Sequence, residues 1–205
     1  MNQPHRVLPN IEGLPHALYT AEQVRHMDDL AIQAFGIAAE ALMERAGVFT
    51  FRKIREYWPD ARDITILCGT GNNGGDGFVI ARLLAEAGWP VKLMLAGDVR
   101  KLKGDAALAA KAWTGDVLPA VREHLQGAAV IVDALFGAGL ARGIDGELAG
   151  LVEAVNASPA VCFAIDVPSG IDGRTGQVRG VAVEAEHTIT FFRAKPGHWL
   201  MPGRE

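Results

Sequence analysis

Two aspartates stand at matching points of two apolar runs. Asp133 closes "AVIV" in "AAVIVDALFG", and Asp166 closes "CFAI" in "AVCFAIDVPSG". A carboxylate ending a buried strand faces the crevice above the sheet. Two of them on neighbouring strands make a pair suited to proton transfer or to holding a cation. Ser169 adds a hydroxyl in a turn that Pro168 stiffens, although "VPSG" is no nucleophile elbow and no histidine is placed to complete a triad. A third source of chemistry is "CGTGNNGGDGFVIARLL", Cys68–Leu84. Gly69, Gly71 and Gly74 satisfy G-x-G-x-x-G, which lets a phosphate approach the backbone and the positive end of the following helix. Asn72, Asn73, Gly74, Gly75 and Asp76 carry more polar equipment than a diphosphate cradle needs. An asparagine oxygen suits a hard cation, and Asp76 favours a helix N-terminus electrostatically. A second glycine-rich loop, "GAGLARG", comprises Gly137, Ala138, Gly139, Leu140, Ala141, Arg142 and Gly143, with Arg142 suited to phosphate or carboxylate. Lys195 ends the last apolar run, either as an exposed strand-end lysine or as part of the constellation. His187 and His198 have no recognisable partner.

The elements that must carry these residues follow from the hydrophobic pattern. "TAEQVRHMDDLAIQAFG" predicts a helix capped by Thr20 and Gln23, with Val24, Met27, Ala31 and Ile32 on its apolar face and Gly36 at its end. A second helix follows in "IAAEALMERAGVFTFRKIREYW". Five apolar runs then read as strands: "DITILCG", "WPVKLMLAG", "AAVIVDALFG", "AVCFAIDVPSG" and "HTITFFRAK". Helical patterns over Gly77–Ala87, Gly104–Trp113, Leu118–Leu125 and Leu148–Asn156 separate most of them. Continuous apolar runs alternating with amphipathic ones indicate an α/β domain, Rossmann-like and doubly wound. Its mainly parallel sheet has helices on both faces, three layers in all. Ligands of such folds bind beyond the carboxyl ends of the strands, where the candidates fall.

Composition removes several functions. The chain has 205 residues, 49% hydrophobic and 21% charged, with a net charge of -4. Without a basic stripe, a nucleic-acid partner is not expected. Cys68 and Cys162 lie in apolar runs, so a disulfide framework or zinc cluster is not expected either. No signal peptide and no stretch near the ~18 apolar residues of a membrane span occurs, which makes the cytoplasm the expected compartment. An NAD-dependent oxidoreductase is a competing reading, with Asp98 near the point where an acidic residue would meet ribose hydroxyls. It would also need a hydride-transfer partner site, for which one domain leaves little chain.

"TAEQVRHMDDLAI", "LMERAG", "GTGNNGGDGFVIARLL", "DALFGAGLARG", "DVPSGIDGRTG" and "FFRAKPG" occur in this order. Together they resemble the YjeF N-terminal domain family, the NAD(P)H-hydrate epimerases, over Leu18–Gly203. The resemblance implies an isomerase of metabolite repair. Its substrate is NADHX or NADPHX, the hydrated nicotinamide nucleotide, taken as substrate and not as redox coenzyme. It interconverts the R and S epimers so that an ADP/ATP-dependent dehydratase, separate or fused, can restore the cofactor. Carried over by position, the substrate contacts fall on Asn72, Asn73, Gly74, Gly75 and Asp76, on Gly137 through Gly143, and on Asp166. One potassium ion per subunit would be held by Asn73, Asp133 and Ser169. The substrate is a hemiaminal, and Asp166 is the first candidate for proton transfer, by dehydration and rehydration or by ring opening and reclosure. A non-catalytic scaffold or dimerisation module of the same family would be expected to lose Asn73, Asp133, Asp166 and Ser169, and all are present. Residues 1–19 are expected to form a tail and 20–205 the family domain, truncated because the family continues past "KPG". Preference for one hydrate would turn on a 2'-phosphate contact, with Arg100 or Lys101 as guesses. The apolar content of the first two helices suggests a homodimer.

Overall fold

Thr20 opens the first helix as the sequence predicts. Its hydroxyl accepts from the Gln23 N–H (3.2 Å) and the Gln23 side chain accepts from the Thr20 N–H (2.9 Å) in a capping box. This helix, α1, spans Ala21–Phe35 and stops at Gly36, whose φ of 67° is left-handed. The structure, a computed structural model, describes residues 17–204, so nearly all of the expected tail over 1–19 lies outside the described residues. A second helix, α2, runs over Ala39–Tyr57 and buries Met43, Gly47, Thr50 and Ile54. None of the α1 residues is fully buried: Val24, Ala31 and Ile32 are half-covered, and Met27 is exposed.

Six strands follow: β1 (Ile64–Cys68), β2 (Val91–Leu95), β3 (Val117–Pro119), β4 (Val130–Ala134), β5 (Val161–Ile165) and β6 (His187–Ile189). All pairings are parallel and the order is β3-β2-β1-β4-β5-β6, with the direction of winding reversing beside β1 and β4. Helices α3 (Asn72–Glu86), α4 (Gly104–Ala112) and α5 (Gly146–Asn156) complete the layers. Alternation along β1 divides the core. Ile64, Ile66 and Cys68 face a cluster with Ile54, Phe78 and Leu84, whereas Leu67 faces one with Ile131, Leu151 and Val152. Both cysteines are free and buried.

Four expectations are corrected. Leu118–Leu125 is not a helix: β3 occupies its start, and a 3-10 turn spans Arg122–Leu125. Pro119 lacks an N–H and forces Leu118 to be extended, which suits a sheet edge and not a helix. This edge is the sixth strand, where the pattern gave five. "HTITFFRAK" is strand only to Ile189, because Phe192 turns left-handed at φ 61°, a conformation no strand tolerates. Finally, α3 begins at Asn72, not at Gly77. Five residues expected in a loop therefore form the first turn and a half of a helix.

Packing explains why so glycine-rich a segment is helical. A Cβ on Gly74 would fall 1.9 Å from the Gly69 carbonyl oxygen. The close approach of the helix to the end of β1 is thus a property of residue 74, and it offsets the weak helix propensity of glycine. Gly74→Ala should destabilise the domain by about 1–3 kcal/mol, as overpacked cores do, read as a lower urea midpoint at unchanged slope.

Candidate active site

The carboxyl ends of β1, β4 and β5 bring three segments together. Asp133 lies inside β4 and is fully buried. Its Oδ1 accepts from the Ser169 hydroxyl (2.6 Å) and the Leu135 N–H (3.2 Å), and its Oδ2 from the Ser169 N–H (2.7 Å). The Ser169 Oγ also accepts from the Phe136 N–H at 2.9 Å. Loss of water around Asp133 outweighs these donors and raises its pKa to about 6.

Asp166 follows β5 and is bent away from strand geometry by a φ of 66°. Non-glycine residues rarely adopt this region, and aspartate is among the few that tolerate it. The Ala138 N–H donates to Oδ2 at 2.8 Å. Lys195 Nζ donates to Oδ1 at 2.5 Å, and Thr190 Oγ1 lies 3.2 Å from the same oxygen. Lys195 is therefore not an exposed strand-end lysine; its side chain is 2% exposed. No periodicity could reveal this, because the segment carrying Lys195 leaves the sheet. The neighbouring β4 and β5 do bring Asp133 and Asp166 to one sheet end, but the two carboxylates share no hydrogen-bond partner.

Gly137 joins the first and second loops. A Cβ there would stand 2.8 Å from Asp166 Oδ2 and 3.3 Å from Asn73 Oδ1. Only a glycine lets the backbone lie so close to both side chains. Asn73 Nδ2 is buried and has no hydrogen-bond partner among the described residues. Asp76, one helical turn on, is buried, and its carboxylate has no hydrogen-bond partner among the described residues. Burial, then the nearby Asp166 and Asp28, push its carboxyl well above the usual range, toward the neutral acid. Asp28 belongs to α1, so this helix reaches the site, a contribution the sequence reading missed. Arg25, one turn before, places Nη1 3.1 Å from a Cβ built on Gly139.

The remaining candidates are more peripheral. Asn72, Gly139, Ala141, Arg142 and Gly143 are exposed, Ala138 and Leu140 half-buried, and Gly74 and Gly75 buried in the first turns of α3. Asp98 is engaged by Arg100, whose guanidinium and N–H hold its carboxyl down at about 2. His187 stacks on Tyr57, a packing role, whereas His198 touches the site through Asp166.

The end of the sheet thus gathers four carboxyls, one buried ammonium and the N-terminus of α3, groups able to hold a cation and to move a proton. Comparison with known proteins gives the family and the fold. Residues 39–197 match the family described as YjeF-related protein N-terminus. The chain is 43% identical over 183 residues to the Bifunctional NAD(P)H-hydrate repair enzyme Nnr of Coxiella burnetii, covering 88% of this chain and 37% of that relative. It thus spans well under half the length of the bifunctional relatives. To the NAD(P)H-hydrate epimerase of Lentilactobacillus buchneri it is 40% identical, covering 87% of this chain and 84% of the relative. A crystal structure of yeast ynu0 has the same fold, with a TM-score of 0.79 at 22% identity, covering 89% of this chain and 83% of that one. Among the described residues no helix is long and apolar enough to cross a membrane.

Proposed function

The chain belongs to the YjeF-related N-terminal family, and from that premise we propose that it is an NAD(P)H-hydrate epimerase interconverting R- and S-NAD(P)HX. The observation that carries this reading is the Asp166 carboxylate, fixed at the sheet end between Ala138 and Lys195 and facing Asn73 and Asp76. Asn72, Asn73, Gly74, Gly75 and Asp76 line the nucleotide site from α3, and Gly137–Gly143 from the opposite loop.

The reaction needs a proton donor and a proton acceptor around one carbon. Protonating the hydroxyl releases water with the C–O electron pair, and the ring nitrogen's lone pair closes an iminium. A second water then adds to the opposite face and gives its proton to a base. Burial favours the protonated form of Asp76, which suits it to donate, and Asp166 would accept. The S epimer would pass to a dehydratase, and the longer relatives are named as bifunctional repair enzymes.

Potassium fits the residues at β4. Asp133, Ser169 and Asn73 offer oxygen ligands, and the buried Asp133 carboxylate lacks any cationic partner among the described residues. Those three would hold the ion, which would supply positive charge beside the diphosphate of the substrate. The pH dependence follows from Asp133. With its carboxyl raised to about 6, its ionisation opposes folding as pH rises from about 4 to 6, and the penalty is complete above pH 6. A cation that offsets it should raise the melting temperature more at pH 8 than at pH 5. Melting curves in potassium and in N-methylglucamine check this; equal increments at both pH values count against the site.

The function is tested with purified R-NADHX and an S-specific dehydratase. Addition of this protein should drain the R pool much faster than spontaneous epimerisation. A folded protein that leaves the spontaneous rate unchanged refutes the reading.

A further inference from the structure

We propose that Lys195 is a positioning residue for epimerisation, aiming the Asp166 carboxylate at the reacting carbon by closing a hydrogen-bonded ring around residue 166. The proposal rests on the epimerase reading. Its basis is a set of contacts that ties both the side chain and the main chain of Asp166 to one segment.

The Lys195 ammonium has three hydrogens and three acceptors: Asp166 Oδ1 (2.5 Å), Thr190 Oγ1 (2.7 Å) and the Phe191 carbonyl (3.2 Å). Its geometry is therefore fixed. The Lys195 N–H donates to His198 Nδ1 at 2.9 Å. That bond places the imidazole proton on Nε2, which donates to the Asp166 carbonyl at 2.7 Å. Burial lowers the His198 pKa, in keeping with this neutral tautomer. From above, the Asp166 N–H donates to the Ile189 carbonyl at 2.6 Å. A residue in left-handed conformation persists only where its surroundings over-determine it, and this ring does so.

The ring also selects which oxygen acts. Oδ1 is taken by Lys195 and Thr190, whereas Oδ2 has the Ala138 N–H alone and lies toward Gly137 and Asn73. Oδ2 is the atom left to meet substrate. The charged and titratable groups around it are Lys195 and His198 from the last turn, Asp76 from α3 and Asp28 from α1. Among the described residues, Lys195 is the cation that pairs with this carboxylate. A purely structural ion pair would not need the main-chain half of the ring, in which the same lysine orients the histidine that grips the Asp166 carbonyl.

The test separates kcat from KM. In Lys195→Met, kcat should fall about 100-fold, the effect of a misplacement near 1 Å, with KM little changed. Lys195→Arg keeps the charge but not the three-acceptor geometry, and should recover only part of kcat. Thr190→Val leaves the ammonium in place and removes one acceptor; here kcat should drop about tenfold at constant KM. If Lys195→Met does not fold, Lys195→Arg and Thr190→Val decide. Wild-type kcat in both, or losses confined to KM, overturns the proposal while the epimerase reading stands. An inactive wild-type protein instead defeats the functional reading beneath it.

Discussion

Asp166→Asn should lower the rate of R-to-S conversion by about 10²–10⁴-fold, the usual worth of a placed proton carrier. Asparagine is the informative substitution. The backbone at residue 166 has φ 66°, where alanine adds strain of its own and asparagine does not. The amide keeps an oxygen for Lys195 and still fills the space beside Gly137, but it cannot take a proton. Both binding and rate should therefore be measured, with nucleotide affinity followed separately by NADP+ titration. A hundredfold loss of kcat at preserved affinity identifies proton transfer. A loss appearing only in KM would make Asp166 a binding residue and move the chemistry to Asp76 or Asp28.

The second large effect concerns stability. Lys195→Met removes an ammonium with 2% exposure from a carboxylate with 19%, leaving Asp166 with no cationic hydrogen-bond partner among the described residues. Breaking a buried pair on one side commonly costs about 3–5 kcal/mol, and the partial exposure of Asp166 places the expectation near 3. The double variant Lys195→Met/Asp166→Asn should be more stable than Lys195→Met alone, because no isolated charge remains. A double-mutant cycle from urea denaturation measures the coupling directly. Additive effects would mean that the ion pair contributes little and that the rest of the ring holds residue 166. The two experiments share variants but read different quantities, so a stability loss cannot be mistaken for a catalytic one.

Much of the architecture was legible because its signals are local. The Thr20–Gln23 capping box, the Gly36 terminus and the five apolar runs each depend on neighbours within a few positions, and each marks a real element, although the last run is strand only to Ile189. The ordered loops also point to the family that residues 39–197 match. What failed locally failed for tertiary reasons. A Cβ-free path against Gly69 stabilises the helical start at Asn72, and Pro119 with an open sheet edge turns a helical spacing into β3.

The site divides along the same line. Sequence by itself determined that aspartates end β4 and β5, that amides and glycines open α3, and that the whole belongs to one doubly wound sheet, because side-chain periodicity and strand-end position are written in consecutive residues. Only the tertiary structure decided that Lys195 is buried on Asp166, that His198 completes its ring, and that Asp28 of α1 lies beside both. Those groups meet across long separations in the chain, and burial of a lysine becomes affordable only when folding delivers its carboxylate. No spacing rule encodes such a meeting; it is fixed by which segments close over the end of the sheet.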